Sequence, residues 1–392
     1  MRPSTASVHA GAPRPQVGAA VVLPLVRSVI HHLDEEVYQA RLGGGSEVLV
    51  YAREMNPTVR AVEERLAHIE GADRSLLFSS GQAALQTLLL GSVRRGDRVI
   101  TSRAIYGGST ELLRRMIPVL GATLVEVELN VEGELERALG TKDDVALVFC
   151  ESICNPLTQV TDLPLVVGLT QRFSPRAIVA VDATLASPLG QRPLELDVDV
   201  VMHSATKYLS GHSDVLGGVL SGSEERMAGL LDWRTQGGAC MDPQAAWLLE
   251  RGMKTLGLRI ERQSANALAC ARALEGRGAV ASVHYCGLDS SPYQGLAKAL
   301  LQYNGGLFSI VLEGGDGAAL RFVDALRLFA NAASLGGVES LASRPRSMSH
   351  GHLSEGEREE LGLLPGLVRL ACGIEDAGDL IEDLVQALDS LD

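Results

Sequence analysis

The sequence predicts an α/β fold: a large domain on a mostly parallel sheet, followed by a smaller C-terminal α/β domain. Three observations carry this. From about residue 50 short apolar runs alternate with stretches of helical spacing, the pattern of a sheet with helices on its faces. After Pro243 the alternation gives way to a long helical stretch. The 392 residues also exceed what a single core of ordinary size holds. The expected division is an N-terminal arm over 1–50, a large domain over 51–245 and a small domain over 246–392.

The elements follow in order. Up to about Leu49 the chain is rich in Gly, Pro and Ala without sustained periodicity, and reads as an extended arm packing on another subunit. Strands are expected at 75–78, 98–101, 123–127, 146–149, 177–181 and 198–202, with helical spacing between several of them, as at 83–90 and 111–120. A helical segment runs from Pro243 to about Leu274 with a break near 255–257. Beyond it, strands at 308–312 and 367–371 flank helices such as 318–330, and 377–391 again has helical spacing.

Composition narrows the function classes. Lys+Arg 35 against Asp+Glu 48 leaves a net charge of −13, which disfavours nucleic acid and anionic membranes as partners, since phosphate binding needs a basic face. Six cysteines (150, 154, 240, 270, 286, 372) form no CxxC pair and read as buried thiols in a reducing cytoplasm, not as a metal or disulfide set. No apolar run approaches bilayer length, and the short stretch 18–26, broken by Pro24, lacks the cleavage site of a signal peptide. His350 and His352 read as loop histidines; no metal site is expected.

In an open parallel sheet, ligands bind beyond the carboxyl ends of the strands. After the first strand comes Ser79-Ser80-Gly81-Gln82 and a helix, whose opening N–H groups and positive dipole end suit a phosphate. After the fourth come Glu151, Asn155 and Pro156; after the fifth, Asp182; after the sixth, His203-Ser204-Ala205-Thr206-Lys207. A Schiff-base cofactor needs such a set. Its amine becomes nucleophilic when burial and cationic neighbours lower its pKa. A carboxylate keeps the pyridine nitrogen protonated so that the ring withdraws electrons, and hydroxyls hold the phosphate. Singly, Asp182 could cap a turn, Lys207 could be a solvated lysine, and Ser204 and Thr206 could bond local backbone. Jointly, at neighbouring strand ends, they favour chemistry.

Ser204-Ala-Thr-Lys-Tyr-Leu-Ser-Gly-His212-Ser-Asp resembles the cofactor-lysine motif of the Cys/Met-metabolism pyridoxal 5′-phosphate (PLP) enzymes, the group of cystathionine γ-synthases, cystathionine γ-lyases and methionine γ-lyases. Tyr51-Ala-Arg53-Glu-Met-Asn56-Pro57-Thr58 is similar to the group's tyrosine–arginine motif. Ser80-Gly81, Tyr106-Gly107-Gly108, Asn155-Pro156, Val181-Asp182 and Arg251-Gly-Met-Lys-Thr-Leu256 follow in family order. So do Ser334-Leu-Gly-Gly-Val-Glu339-Ser-Leu and Val368-Arg369-Leu-Ala-Cys-Gly-Ile-Glu375.

This resemblance implies the fold type I of PLP-dependent transferases, with PLP on Lys207, Asp182 at the pyridine nitrogen and Tyr106 stacked on the ring. It implies backbone N–H groups of Gly81 and Gln82 and hydroxyls of Ser204 and Thr206 on the phosphate. Tyr51 and Arg53 would reach that phosphate from a neighbouring subunit of a homodimer or homotetramer. Arg369, Ser334 and Asn155 would hold the substrate α-carboxylate, and Glu339 would belong to the substrate site. The implied reaction is elimination or replacement at Cβ or Cγ of a sulfur- or oxygen-substituted amino acid. Lys207 would move the proton, and Tyr51 or Tyr106 would protonate the leaving group. Alternatives are a specialised biosynthetic enzyme of the same family acting on a non-sulfur amino acid, a non-catalytic paralogue, and a fold-related aminotransferase or decarboxylase.

Some positions depart from the family pattern. Ala183 stands where an Asn is usual and Leu185 where an aromatic is usual. Glu54 and Met55 replace small or neutral residues, and Glu111 stands where a basic residue is frequent. Glu54 and Glu111, placed near the expected mouth of the site, would disfavour an anionic distal arm, so cystathionine is not the expected substrate.

Overall fold

The computed structural model describes residues 2–10, 20–43, 48–140, 142, 144–349, 351 and 353–391. Seven strands build the first sheet: β1 (Arg74–Phe78), β2 (Arg98–Ser102), β3 (Thr123–Val127), β4 (Val145–Glu151), β5 (Ile178–Asp182), β6 (Val200–Ser204) and β7 (Gly218–Gly222). Their order is β1-β7-β6-β5-β4-β2-β3. Only β7 runs antiparallel to its neighbours. Strands covered on both faces read as unbroken apolar runs, and β4 (VALVFCE) shows why. Leu147 and Phe149 enter one core while Val148 and Cys150 enter the core on the opposite face.

The second sheet holds β8 (Val280–His284), β9 (Leu307–Leu312), β10 (Ala330–Asn331), β11 (Leu341–Ser343) and β12 (Leu367–Ala371), in the order β10-β11-β12-β9-β8. It is antiparallel except between β10 and β11. Phe308 and Ile310 of β9 pack with Ala267 and Cys270 of the helix Leu256–Leu274 and with Leu380 and Leu384 of the helix Ala377–Asp389.

The expected strands are present, shifted by one or two residues at their ends. The helical stretch after Pro243 breaks where expected, into Pro243–Met253 and Leu256–Leu274. The helix expected at 318–330 is instead Gly315–Ala325, because Ala330–Asn331 pairs as an edge strand. β7 escapes sequence reading because GVLSG is short and flanked by glycine.

The N-terminal segment is not wholly extended. Pro3–His9 is helical and packs on its own chain, burying Ala6 and Ala10 in a core shared with Val62 and Leu66. Arg65 Nη1 donates to the carbonyls of Ser7 and Val8 near that helix's end, and pairs with Glu250 at 2.9 Å. A second helix, Glu35–Leu42, starts at an Asp34 cap. Residues 23–26 are pinned by hydrogen bonds to Asn56, Thr58 and Trp247. Parts of the predicted arm (11–19, 44–47), along with His350 and His352, lie outside the described residues. Among the described residues no helix is long and apolar enough to cross a membrane, and the six cysteines are free thiols.

Arg65 and Glu250 are both buried. Replacing Glu250 by Ala strands a buried guanidinium, and should lower the unfolding free energy in denaturant titration by about 3–5 kcal/mol. An unchanged midpoint would contradict a stabilising role for this pair.

Candidate active site

The carboxyl ends of β4, β5 and β6 converge with the turn after β1 and with residues of the second sheet around a cavity of about 500 Å3. The turn after β1 opens the helix Gly81–Ser92, where Ser80 Oγ accepts from Ala83 N at 3.0 Å. Here two glycines permit close approach. A Cβ on Gly218 would lie 2.2 Å from the Ser80 carbonyl oxygen, and one on Gly81 would press on Ser204 Cβ at 3.3 Å. The helix N-terminus therefore borders the cavity beside the hydroxyls of Ser204 and Thr206.

Asp182 ends β5 and is buried. Its Oδ1 accepts from both the backbone N–H (2.9 Å) and the hydroxyl of Thr184, and Thr184 Oγ1 in turn accepts from Ser204 N at 2.7 Å. Thr184 thus fixes the carboxylate and ties β5 to β6. Burial raises the Asp182 pKa, against the pull of Thr184's hydrogen bonds and the charges of His203 and Lys207.

Lys207 follows β6 and points its Nζ at Ser334 Oγ, 2.7 Å away. Burial first, then the charge of Arg369, lowers its pKa to about 8, with Asp182 opposing. Ser334 has φ 93, a left-handed conformation uncommon for a non-glycine residue. Two residues on, Gly336 (φ 78) passes so close to Lys207–Tyr208 that a Cβ would lie 2.7 Å from Tyr208 N.

Arg369, in β12, is 7% exposed and has no acidic partner among the described residues. Its Nη2 donates to the Ser334 carbonyl at 2.7 Å and its Nη1 to Asn155 Oδ1 at 3.4 Å, while its buried Nε has no partner. Burial lowers its pKa to about 10. A desolvated guanidinium with an unused donor suits a small carboxylate.

Gly81, Gln82, Tyr106, Asn155, Asp182, Ser204, Thr206, Lys207, Ser334 and Arg369 all line this cavity. Three predicted residues do not. Tyr51 is 40% exposed, and Arg53 donates to the Thr235 carbonyl at 2.8 Å with its guanidinium 5.6 Å from the Tyr51 ring centre. Glu339 is exposed and, among the described residues, accepts from Ser213 Oγ at 3.4 Å. Glu54, paired with Arg41, and Glu111, paired with Arg115, do not line this chain's cavity.

Glu151 and Thr184 were not assigned from sequence. Glu151, 3% exposed, accepts from Tyr106 N at 2.7 Å and from Asn155 N at 3.1 Å. Burial, then the charge of Asp182, raises its pKa, while the two N–H donors pull it down. The strand-end rule places Glu151 at the site, but nothing in one sequence reveals its two amide partners.

These features fit pyridoxal 5′-phosphate. Asp182 would face the ring nitrogen, the Gly81–Gln82 turn with Ser204 and Thr206 would take the phosphate, and Lys207 would be the anchoring amine. Attachment needs the neutral amine. Cofactor uptake by the cofactor-free protein should therefore speed up as pH rises, with a midpoint near 8. A stopped-flow midpoint near 10 would contradict the lowered pKa.

Residues 4–389 match the family model described as Cys/Met metabolism PLP-dependent enzyme. An L-methionine gamma-lyase of Pseudomonas deceptionensis is 38% identical, over 99% of this chain and 97% of the relative. A cystathionine gamma-lyase of Bacillus subtilis is 35% identical over 100% of both. The crystal structure of a cystathionine gamma synthase from Xanthomonas oryzae pv. oryzae matches with a TM-score of 0.93 and 35% identity, covering 100% of this chain and 98% of that one. The chain belongs to the Cys/Met metabolism PLP-dependent enzymes, and works by PLP-dependent elimination or replacement on an amino-acid substrate.

Proposed function

We propose that this enzyme acts on amino acids with a neutral substituent at Cγ, methionine-like thioethers first, with Lys207 as cofactor anchor and proton carrier. One observation carries the reading: the distribution of charge around the cavity. Its cationic lining residues are Lys207 and Arg369, and each has a task. Lys207 meets the cofactor, and Arg369, with Asn155 and Ser334, meets the substrate α-carboxylate. The rest of the wall includes Leu185, Leu216, Leu335 and Met348. A second carboxylate on the substrate's distal arm would lose water there without gaining a counter-charge.

Bound PLP supplies a protonated ring that draws electrons from Cα. Asp182 would hold the proton on the ring nitrogen. With the cofactor bound, Lys207 Nζ would take the α proton and carry a proton to neighbouring carbons, with Ser334 Oγ keeping the amine in place between transfers. Arg369 and Asn155 hold the carboxylate end, which orients the Cα–H bond toward Nζ. Tyr106, which lines the cavity, would stack on the cofactor ring, and Tyr106 or Tyr51 would give a proton to the leaving sulfur.

Tyr51 and Arg53 lie outside their own chain's cavity, so their tasks require a second copy of the chain in a homodimer or homotetramer. Exposed Val21, Val22, Val29, Ile30, Leu42 and Tyr51 give the N-terminal segment an apolar surface that such a copy would cover. The six free thiols suit a reducing compartment such as the cytoplasm.

A panel of methionine, S-ethylhomocysteine, cystathionine and O-succinylhomoserine tests the reading, with keto acid, ammonia and thiol assayed together, with and without an added nucleophile. Methionine and S-ethylhomocysteine should show kcat/KM about tenfold or more above cystathionine and O-succinylhomoserine, whose distal arms each carry a carboxylate, a difference of about 1.4 kcal/mol. Cystathionine or O-succinylhomoserine matching methionine would overturn it.

A further inference from the structure

We infer that Glu151 is a positioning residue of this active site: its carboxylate bridges the loop that carries Tyr106 and the loop that carries Asn155, setting the stacking phenol and the carboxylate-binding amide relative to each other. The inference rests on the reading of Tyr106 and Asn155 given above.

The geometry is specific. Glu151 is the last residue of β4, between two loops that both enter the cavity. Oε1 accepts from Tyr106 N at 2.7 Å, and Oε2 from Asn155 N at 3.1 Å. Each oxygen serves a different loop. No lysine or arginine pairs with it among the described residues, so it is not one end of a structural ion pair.

Both N–H groups lie outside the strand ladders. Tyr106 is the residue before the helix Gly107–Val119, where no side chain caps the first turn. Asn155 precedes Pro156 in the loop after β4. Without Glu151, both donors would be left unpaired beside the cavity, a cost that buried N–H groups rarely bear.

The site also works against the residue's presence. Glu151 pairs in register with Asp182 on β5, so two carboxylates stand side by side at adjacent strand ends. Like charges so placed repel, and burial adds to the cost. An acceptor needed only to close two loops could avoid this neighbour. Accepting on both oxygens is what a carboxylate does and what an amide does not, since glutamine turns an N–H toward one of the two donors. Glu151→Gln therefore keeps the shape and frees one loop.

Three variants of the holoenzyme test this, with two readouts that do not require turnover. One is the visible circular dichroism of bound cofactor. The other is the affinity for glycine, read from the cofactor's absorbance; glycine has the α-amino and α-carboxylate groups of any candidate substrate and no leaving group. Tyr106→Ala should weaken the dichroic band, and Asn155→Ala should weaken glycine binding. Glu151→Gln, which frees one of the two loops, should lose band intensity or bind glycine about tenfold more weakly, the effect of losing one charge-assisted hydrogen bond.

Band and affinity at wild-type values in Glu151→Gln, with both changed in their respective loop variants, overturns the positioning role alone. No change in the two loop variants removes the underlying reading, and the inference with it. If Glu151→Gln does not fold, Glu151→Asp decides, because it keeps the charge with less reach. A weaker band or weaker binding supports the bridge, and wild-type values for both overturn it.

Discussion

The site depends on one buried amine held between opposing influences. Desolvation and the nearby Arg369 guanidinium drive the proton off Lys207, while Asp182 draws it back. Neither side wins outright, which leaves the amine with a pKa of about 8, neutral often enough to react and charged often enough to return a proton. The same cavity is lined by two acids, Asp182 and Glu151, and two cationic residues, Lys207 and Arg369.

That balance is assembled from both sheets. Asp182, Glu151 and Lys207 come from strand ends of the first sheet, and Arg369 comes from β12 of the second. Ser334 joins them, since its hydroxyl receives the Lys207 amine and its carbonyl receives the Arg369 guanidinium. One residue in an uncommon backbone conformation thus sets the distance between the proposed cofactor anchor and the proposed carboxylate clamp. Gly336 lets the segment after Ser334 pass close to the lysine loop, where a Cβ would lie 2.7 Å from Tyr208 N.

Much of this was legible in the sequence because strands buried on both faces leave unbroken apolar runs, and ligands gather where those runs stop. That rule brought Asp182, Asn155 and Lys207 together before any contact was known. It says nothing about contacts made by other elements. β7 carries two boundary glycines in five residues, and the helix Pro3–His9 is too short to show a period. The pairing of Glu54 with Arg41 and of Glu111 with Arg115 is a matter of local geometry that position in the sequence does not show. Glu151 stood at the right strand end, but its meaning lay in two backbone amides whose positions only the fold determines.

Lysine 207 is the point on which the account stands or falls. Borohydride reduction of the yellow holoenzyme, followed by proteolysis and peptide mass mapping, locates the cofactor's attachment directly. A single phosphopyridoxyl group is expected, on the peptide containing Lys207. A label on another lysine, or a reduced protein carrying no label, would contradict it.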